Sequence, residues 1–326
     1  MRAVRIREAG GPEVLEIAEV PAPSVHAGHV AVKVSSSAMN RADCLQRRGV
    51  YPAPPGVVPD IPGLEFAGLV AEVGPGVTSV QVGDRVMGLV GGGAHAEVVV
   101  VHERELLRVP RTLDLEHAAA IPEAFMTAYD ALVTQCAMRR FECVLVHAAA
   151  SGVGSAAVQL AQWLGARVIG TSRSAEKLQR LGGSLIPWQT PQGFSREEAS
   201  SLVKAHGAVD VIVDFIGAAY LDGNTKALGP GGRMVTLGLL GGMQGALDLG
   251  EVLLKGLTLR GSTLRSRPLE KKIELTQAFS AQVLPAFDTY ALTPVVHDIL
   301  PFGRVREAHE RLEANEVVGK LVLTWS

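Results

Sequence analysis

The hydrophobic and polar positions divide the chain into two regions of different character. Before Asp114, short apolar stretches are interrupted by Gly and Pro, a pattern typical of strands joined by turns. After Asp114, helical and strand-like stretches alternate, which predicts a parallel sheet covered by helices. The predicted strands are 4–6, 14–20, 30–34, 66–73, 84–90 and 96–101 in the first region and 143–148, 167–171, 209–215, 233–238 and 257–261 in the second, with helices at 115–120 and 123–136 between them.

The C-terminal segment returns to a mixed pattern. After Pro268 we predict a helix, a strand at 295–299, a helix at 303–313 and a last strand at 320–324, which could pair back with the first region. The predicted domains are therefore a discontinuous β-rich domain of residues 1–122 and 268–326 and a doubly wound α/β domain of residues 123–267. Two local signals mark helix ends: Ser195 with Glu198 forms a capping box, and residues 229–232 (Gly-Pro-Gly-Gly) should stop a helix before the strand at 233.

A turn of small residues at 149–154 separates an apolar strand from an apolar helix. In the G-x-G-x-x-G register the three positions are Ala149, Ser151 and Gly154, so the pattern alone is weak, although its place between strand and helix is the required one. Unpaired amides at a helix N-terminus favour an anion, so Ser151, Gly152, Val153 and Gly154 are expected to contact a pyrophosphate. The alternative is a packed turn that holds no ligand.

The strand that follows this helix carries no acidic residue at its end. An NAD site usually places Asp or Glu there, about 20 residues after the glycines, to bind the ribose hydroxyls. This chain has Ser172 and Arg173, with Lys177 one turn into the next helix. Hydroxyl and guanidinium donors suit a 2′-phosphate, so the sequence favours NADPH over NADH. A solvated Arg and Lys at a helix start is the alternative.

Composition excludes several classes of protein. The 326 residues are 47% hydrophobic, which argues against general disorder, and the net charge of −2 provides no basic field for nucleic acid or an anionic membrane. The N-terminus is too charged for a signal peptide, and no apolar stretch reaches transmembrane length. Three unclustered cysteines fit reduced thiols, so we expect a cytoplasmic protein.

Several motifs along the chain resemble one enzyme family. They are Ala-Met-Asn-Arg-Ala-Asp at 38–43, Gly-Leu-Glu-Phe-Ala-Gly at 63–68, Val-Gly-Asp-Arg-Val at 82–86, Ala-Ala-Ile-Pro-Glu-Ala at 119–124, the 149–154 turn and residues 315–323. The chain resembles the zinc-independent quinone oxidoreductases of the medium-chain dehydrogenase/reductase superfamily, and most nearly their tumour-suppressor-inducible branch. The resemblance implies a GroES-like catalytic domain, an inserted Rossmann domain, NADPH-dependent quinone reduction, and a homodimer formed through the last Rossmann strand at about 257–264.

The resemblance also predicts that no metal is bound. Zinc-dependent relatives have a Cys near Asn40 and a His before Glu65, where this chain has Asn40 and Leu64. An amide and an isobutyl group cannot replace thiolate and imidazole. His26 and His29 are only three residues apart but lack further ligands, so we interpret them as surface residues. Without a Lewis acid the hydride acceptor must already be electrophilic, as quinones and enones are.

Further site residues are carried over from the family. Asn40 would lie beside the nicotinamide and bind cofactor or substrate, Asp43 would orient Asn40 or a water, and Tyr51 would stack on the substrate or donate a proton. The alternatives are helix capping for Asn40 and Asp43 and packing on the adjacent prolines for Tyr51. Other expected cofactor contacts are Thr127, Trp188 (equally plausible in a core), Phe215, Ile216, Gly217, Leu237, Gly238, Leu239, Leu264 and Lys320.

Three functions remain open from the sequence. The leading one is an NADPH:quinone reductase acting on a quinone or conjugated carbonyl. The second is an alkenal or enone reductase of the same fold, and the third is a catalytically poor NADPH-binding protein of the crystallin-like or RNA-binding kind. The basic residues Arg260, Arg265, Arg267, Lys271 and Lys272 are the one hint of nucleic acid, and we interpret them as a solvated surface.

Overall fold

The structure is a computed structural model that describes residues 1–325 of the chain. It divides into two compact units: unit 1 comprises residues 1–126 and 264–325, and unit 2 comprises residues 127–263. These limits lie a few residues from the predicted boundaries at 122 and 267. The β-rich domain and the parallel-sheet α/β domain expected from the sequence are both present.

The N-terminal part contains seven strands and three helices. In chain order they are β1 (Arg2–Ile6), β2 (Leu15–Glu19), β3 (His29–Ala38), α1 (Arg41–Arg47), β4 (Glu65–Val73), β5 (Arg85–Leu89), β6 (Val98–His102), β7 (Leu106–Arg108), α2 (Leu115–Ala118) and α3 (Pro122–Tyr129). Single 3-10 turns lie at Pro12–Val14 and Glu103–Glu105. A π-helix at Asp130–Gln135 continues α3, so the predicted helix at 123–136 changes its winding midway.

The middle part alternates strands and helices. It contains β8 (Cys143–Val146), α4 (Gly152–Trp163), β9 (Arg167–Ser172), α5 (Ala175–Gln179), β10 (Ile186–Gln189), α6 (Arg196–His206), β11 (Val209–Asp214), a 3-10 turn at Ala218–Tyr220, α7 (Leu221–Ala227), β12 (Leu228–Thr236), α8 (Leu249–Lys255) and β13 (Thr258–Gly261). The C-terminal part adds α9 (Leu269–Gln282), α10 (Pro285–Asp288), β14 (Val296–Pro301), a 3-10 turn at Phe302–Arg304, α11 (Val305–Glu313) and β15 (Lys320–Thr324).

Unit 1 is organised around one mixed sheet. Its strands follow the order β14-β15-β3-β4-β5-β7, β6 also pairs with β3, and β1 and β2 form a separate antiparallel pair. The C-terminal strand β15 pairs antiparallel with β3, which confirms that the last strand returns to the first region. Val30, Val32 and Val34 alternate along β3 and pack with Phe66 and Val86 in a buried cluster.

Unit 2 contains a six-stranded parallel sheet in the order β10-β9-β8-β11-β12-β13. The chain winds outward from β8 in one direction and then continues from β11 in the other, so the strand order reverses between β8 and β11. In sheets of this type, ligands bind outside the carboxyl ends of the strands at that reversal. The hydrophobic core of this unit contains aliphatic side chains of the sheet such as Leu145, Ile169 and Ile212, each fully buried.

The helix before residues 229–232 ends as predicted, since α7 ends at Ala227. The strand predicted from 233 begins earlier, at Leu228, so residues 229–232 belong to the beginning of β12. Val209 pairs with Leu228 and Val211 pairs with Arg233, so the Gly-Pro-Gly-Gly residues form a bulge within the strand pairing. The N-cap half of the predicted Ser195 capping box is confirmed, since the Ser195 hydroxyl accepts the backbone N–H of Glu198 at 3.2 Å.

Candidate cofactor and active site

The predicted small-residue turn begins α4 directly after the carboxyl end of β8. Ser151 is the N-cap: its backbone is extended and its Oγ accepts the N–H of Gly154 at 3.1 Å. The amides of Gly152 and Val153 have no acceptor among residues 1–325. Two free N–H groups at the N-terminus of a twelve-residue helix form a suitable site for a phosphate oxygen.

Gly154 is required here by packing. A Cβ at this position would lie 2.3 Å from the carbonyl oxygen of Ala148 and 3.0 Å from the carbonyl carbon of Ala149. The N–H of Ala149 is held by the carbonyl of Thr171 at 2.9 Å, which fixes the turn against β9. The turn is therefore rigid and leaves a backbone surface that a ligand can approach closely.

The end of β9 carries the predicted 2′-phosphate residues. Arg173 is exposed, and its guanidinium has no hydrogen bond or ion pair among residues 1–325. Ser172 Oγ accepts the N–H of Ser174 at 3.2 Å, which leaves the Ser172 hydroxyl hydrogen available for a ligand. Lys177 lies in the first turn of α5, where Ser174 caps its backbone N–H at 3.3 Å. The donors needed for a phosphate are therefore present at this strand end.

Asp214, at the end of β11, holds two predicted cofactor segments together. Its carboxylate accepts the N–H groups of Ile216 and Gly217 at 2.9 and 3.0 Å, and its backbone carbonyl accepts the N–H of Leu237 at 2.7 Å. Burial raises the pKa of Asp214 to about 6 despite these hydrogen bonds. Segments 215–217 and 237–239 therefore lie together after β11 and β12. Sequence reasoning did not assign this role, although an acidic residue ending an apolar strand is a usable signal.

Two further predicted residues of unit 2 differ in their surroundings. Thr127 is buried and its Oγ1 has no hydrogen-bond partner, which fits a residue whose partner is a bound ligand. Trp188 instead packs against the hydrophobic core of unit 2, with its ring centroid 5.5 Å from that of His206 in an edge-to-face arrangement. Trp188 thus has the core environment that its alternative interpretation described.

In unit 1, the side chain of Asn40 is hydrogen-bonded to both members of the buried Glu65–Lys320 ion pair. Its Nδ2 donates to Glu65 Oε1 at 2.9 Å, and its Oδ1 accepts from Lys320 Nζ at 2.6 Å. The Lys320 ammonium also donates to the carbonyl of Met39 at 2.7 Å and pairs with Glu65 Oε1. All three ammonium hydrogens are therefore occupied, which corrects the prediction that Lys320 binds the cofactor. Asn40 itself keeps only part of its acceptor capacity.

Asp43 lies fully buried behind Asn40. Its carboxylate accepts the N–H of Asn40 at 2.7 Å and that of Gly63 at 3.0 Å. Burial alone would raise the pKa of Asp43, but the imidazole of His95, 3.7 Å away, and the Asn40 N–H hold that pKa below its usual range. Asp43 thus positions Asn40, which is the first of the two roles expected for it, and its full burial keeps it from contacting a substrate.

Tyr51 keeps a partly exposed ring above an arginine. The Arg265 guanidinium lies 4.9 Å from the ring centroid, a cation–π arrangement. Arg265 Nε donates to the carbonyl of Gly91 at 2.7 Å, and its other nitrogens donate to the carbonyl of Tyr51 and to Gln46 Oε1. Burial raises the pKa of Tyr51, so its phenol stays protonated. The Tyr51 ring therefore packs on Arg265.

The five basic residues between 260 and 272 do not all lie on a solvated surface as predicted. Arg265 is buried, Lys272 forms an ion pair with Glu105 at 2.8 Å, and Lys271 pairs with Glu274 at 2.8 Å. Glu105 and Glu274 thus neutralise the two lysines, which lowers the positive charge available to a polyanion. Leu264, predicted to contact cofactor, is likewise buried in unit 1.

Comparison with known proteins shows the family. Residues 152–280 match the family model described as zinc-binding dehydrogenase, and residues 26–111 match the alcohol dehydrogenase GroES-like domain. Quinone oxidoreductase of Lama guanicoe is 32% identical over 332 residues, covering 99% of this chain and 97% of that protein. The chain belongs to the medium-chain dehydrogenase/reductase superfamily.

Solved members of the superfamily share both units. A structure described as an NAD-dependent alcohol dehydrogenase is 34% identical, covers 100% of both chains and has a TM-score of 0.86. A mycobacterial protein solved in complex with NADPH is 29% identical, covers 99% of this chain and 100% of its own, and also has a TM-score of 0.86. The chain is therefore an oxidoreductase of this superfamily.

Across residues 1–325, no group of three or more His, Cys, Asp or Glu side chains is placed to hold a metal ion. In the same part of the chain, no helix has both the length and the apolar character needed to cross a membrane. Cys44, Cys136 and Cys143 are unpaired and buried.

Proposed function

We propose that this protein is an NADPH-dependent reductase that transfers hydride to quinones without zinc. The observation that carries the proposal is the end of β9, where Ser172 and the unpaired Arg173 guanidinium stand in place of an acidic residue. The quinone oxidoreductases at about 30% identity and the NADPH-bound mycobacterial structure support it.

The residues of unit 2 fit a dinucleotide in four respects. The free amides of Gly152 and Val153 would bind the pyrophosphate, and Ser172 with Arg173 would bind a 2′-phosphate. Thr127 Oγ1, buried without a partner, would gain one from the ligand. Segments 215–217 and 237–239 would line the rest of the cofactor. When bound, the cofactor supplies a hydride, that is one proton with two electrons, to an electrophilic acceptor.

The donor set at positions 40, 64 and 65 argues for chemistry without zinc. Leu64 offers no ligand atom, and Asn40 offers an amide that Glu65 and Lys320 already occupy. The Glu65 carboxylate is fully buried and compensated by the Lys320 ammonium, so a divalent cation would have to displace that ammonium. We propose that this ion pair keeps Asn40 fixed, and that the acceptor must be activated by its own conjugation.

A substrate panel tests the function. Purified protein with NADPH should oxidise the cofactor in the presence of 1,4-benzoquinone or 1,2-naphthoquinone, and metal analysis should find much less than one zinc per chain. Turnover with a 2-alkenal but no quinone would assign the enone-reductase alternative. Tight NADPH binding without turnover on any acceptor would assign a catalytically poor binding protein, and tighter binding of NADH than of NADPH would contradict the cofactor assignment.

We also propose a homodimer formed along β13. This strand is an edge of the parallel sheet, so its outer backbone groups can pair with a second copy. The preceding helix α8 exposes Leu249, Leu253 and Leu254 by 69%, 81% and 87%, an apolar surface of the kind that marks an interface. Light scattering should give twice the chain mass, and Leu254→Glu should give a monomer; a monomeric parent protein would contradict this proposal.

A further inference from the structure

Glu123 is an ionisable residue of unit 1 for which the sequence predicted no role. It lies in the first turn of α3, and its backbone N–H donates to Glu65 Oε2 at 2.8 Å. The other oxygen of Glu65 binds Asn40 and Lys320. The backbone of Glu123 is thereby fixed to the buried ion pair, yet its own carboxyl has no hydrogen bond or ion pair among residues 1–325 and keeps part of its surface exposed.

The charges around Glu123 do not balance. The carboxyls acting in this cluster are Glu65, Asp43 and Glu123, whereas its cations are Lys320 and Arg265. Glu65 is compensated directly by Lys320, and Asp43 is stabilised by backbone N–H groups and His95. One negative charge is therefore in excess if all three carboxyls ionise, and Glu123 is the one that lacks hydrogen-bond donors.

The electrostatic consequence is a carboxyl that holds its proton near neutral pH. The pKa of Glu123 is raised to about 7. Burial of the carboxyl is the largest cause, although part of the residue is exposed, and the charges of Glu65 and Asp43 add to it. Lys320 and Arg265 act in the opposite direction. The Tyr51 phenol, which also faces Glu123, is not ionised in this range because its own pKa is raised.

We propose that the Glu123 carboxyl donates the proton that the reduction consumes, an inference that rests on the function proposed above. A quinone that accepts one hydride needs one proton to become a hydroquinone. The O–H bond of Glu123 breaks, the proton goes to the reduced substrate oxygen, and the resulting carboxylate is reprotonated from water. For an enone the hydride goes to the β-carbon and the proton to the α-carbon.

Other candidates in unit 1 are less suitable as the donor. Asp43 is fully buried, and the hydrogens of Lys320 are occupied. The Tyr51 hydroxyl has no hydrogen-bond partner among residues 1–325, but its pKa, raised above the ordinary phenol value, lies further from neutral pH than that of Glu123. A group whose proton affinity matches the working pH both releases its proton and regains it within one turnover. Tyr51 then serves to orient the acceptor by stacking.

The test combines Glu123→Gln with the control Glu316→Gln, an exposed residue of the same unit. The parent protein should show kcat/KM for a quinone that falls as pH rises through about 7. Glu123→Gln should lack this pH dependence and be slower by about 10²-fold at pH 6, the usual range of a general acid. Glu316→Gln should match the parent, and Glu123→Asp should retain the dependence at a displaced midpoint.

A measurement independent of turnover is an infrared titration of the protein alone. It should show a protonated carboxyl that disappears near pH 7 in the parent and is missing in Glu123→Gln. If the parent reduces quinones and a folded Glu123→Gln with unchanged NADPH affinity keeps rate and pH dependence, the inference is overturned while the function stands. A pH dependence lost in Tyr51→Phe instead would make Tyr51 the donor. If no acceptor is reduced, the function fails, and an absent infrared titration overturns the inference separately.

Should Glu123→Gln not fold, Glu123→Asp decides the matter. An aspartate carboxyl sits closer to the backbone and so meets different surroundings. A midpoint for kcat/KM unchanged from the parent would then show that another group donates the proton.

Discussion

Replacing Lys320 by Met should strongly destabilise unit 1. The substitution removes an ammonium that is 4% exposed and that donates to Met39, Asn40 and Glu65. The Glu65 carboxylate, 0% exposed, is left with two hydrogen bonds, from Asn40 Nδ2 at 2.9 Å and Glu123 N at 2.8 Å. Removing one partner of a buried pair costs roughly 3–5 kcal/mol because the other charge remains uncompensated.

The same reasoning predicts the behaviour of the double variant. Glu65→Gln combined with Lys320→Met removes both charges, so it should be more stable than Lys320→Met alone. The control is Lys271→Met, whose side chain is 64% exposed and pairs with Glu274 on the surface. That change should alter the free energy of unfolding by less than about 1 kcal/mol, as exposed pairs do.

Urea unfolding measures these differences within unit 1. Trp325 stacks on Phe302 in this unit, with ring centroids 3.2 Å apart. Replacing Trp163 and Trp188 of unit 2 by Phe leaves Trp325 as the fluorescence reporter. If the free energy of unfolding of Lys320→Met lay within about 1 kcal/mol of the parent value, the reasoning would be refuted, because a buried unpaired charge destabilises the folded state by more than that. A double variant no more stable than the single one would refute it equally.

Three further outcomes are expected. Gly154→Ala should weaken NADPH binding by about tenfold or more in calorimetry, because a Cβ 2.3 Å from the Ala148 oxygen displaces the turn; unchanged affinity would contradict the phosphate site. Arg173→Ala should weaken NADPH binding by roughly 10–100-fold and leave NADH binding unchanged, since it removes a charge-assisted bond; equal losses for both would contradict it. Because the pKa of Glu123 is raised from 4.5 to about 7, the folded state binds this proton more tightly than the unfolded state does. The free energy of unfolding should therefore fall as pH rises across that interval, by on the order of 1–3 kcal/mol. Thermal unfolding of Glu123→Gln should show a smaller fall. A steeper fall in the variant would contradict that attribution.

Local patterns predicted unit 2 well. The apolar strand, the small-residue turn and the helix at 152–163 are contiguous, so their geometry follows from turn chemistry and capping within a few residues. The same holds for Ser195 and Glu198. At 229–232 the helix ends as predicted, but the strand begins earlier than expected, because these residues are accommodated within the strand pairing.

The candidate site residues of unit 1 could be predicted only in part. Asn40 and Tyr51 were identified by resemblance, but the partners that determine their chemistry lie far away in sequence: Lys320 is 280 residues from Asn40, and Arg265 is 214 residues from Tyr51. Arg265 looked like a surface cation among other basic residues, whereas the fold buries it. Burial is a property of long-range packing, which no local pattern contains.

The sequence by itself thus determined the two-domain architecture, the Rossmann turn and the absence of an acid beside Arg173, because each depends on neighbouring residues or on spacing along one element. Only the tertiary structure decided which polar groups bind one another and which stay available to bind a ligand. It joined Asn40, Glu65 and Lys320 into a closed buried network, and it left the carboxyl of Glu123 without a partner. The physical reason is that proton affinity and hydrogen-bond capacity depend on charges and burial in space, which strands far apart in the chain create only when they pair.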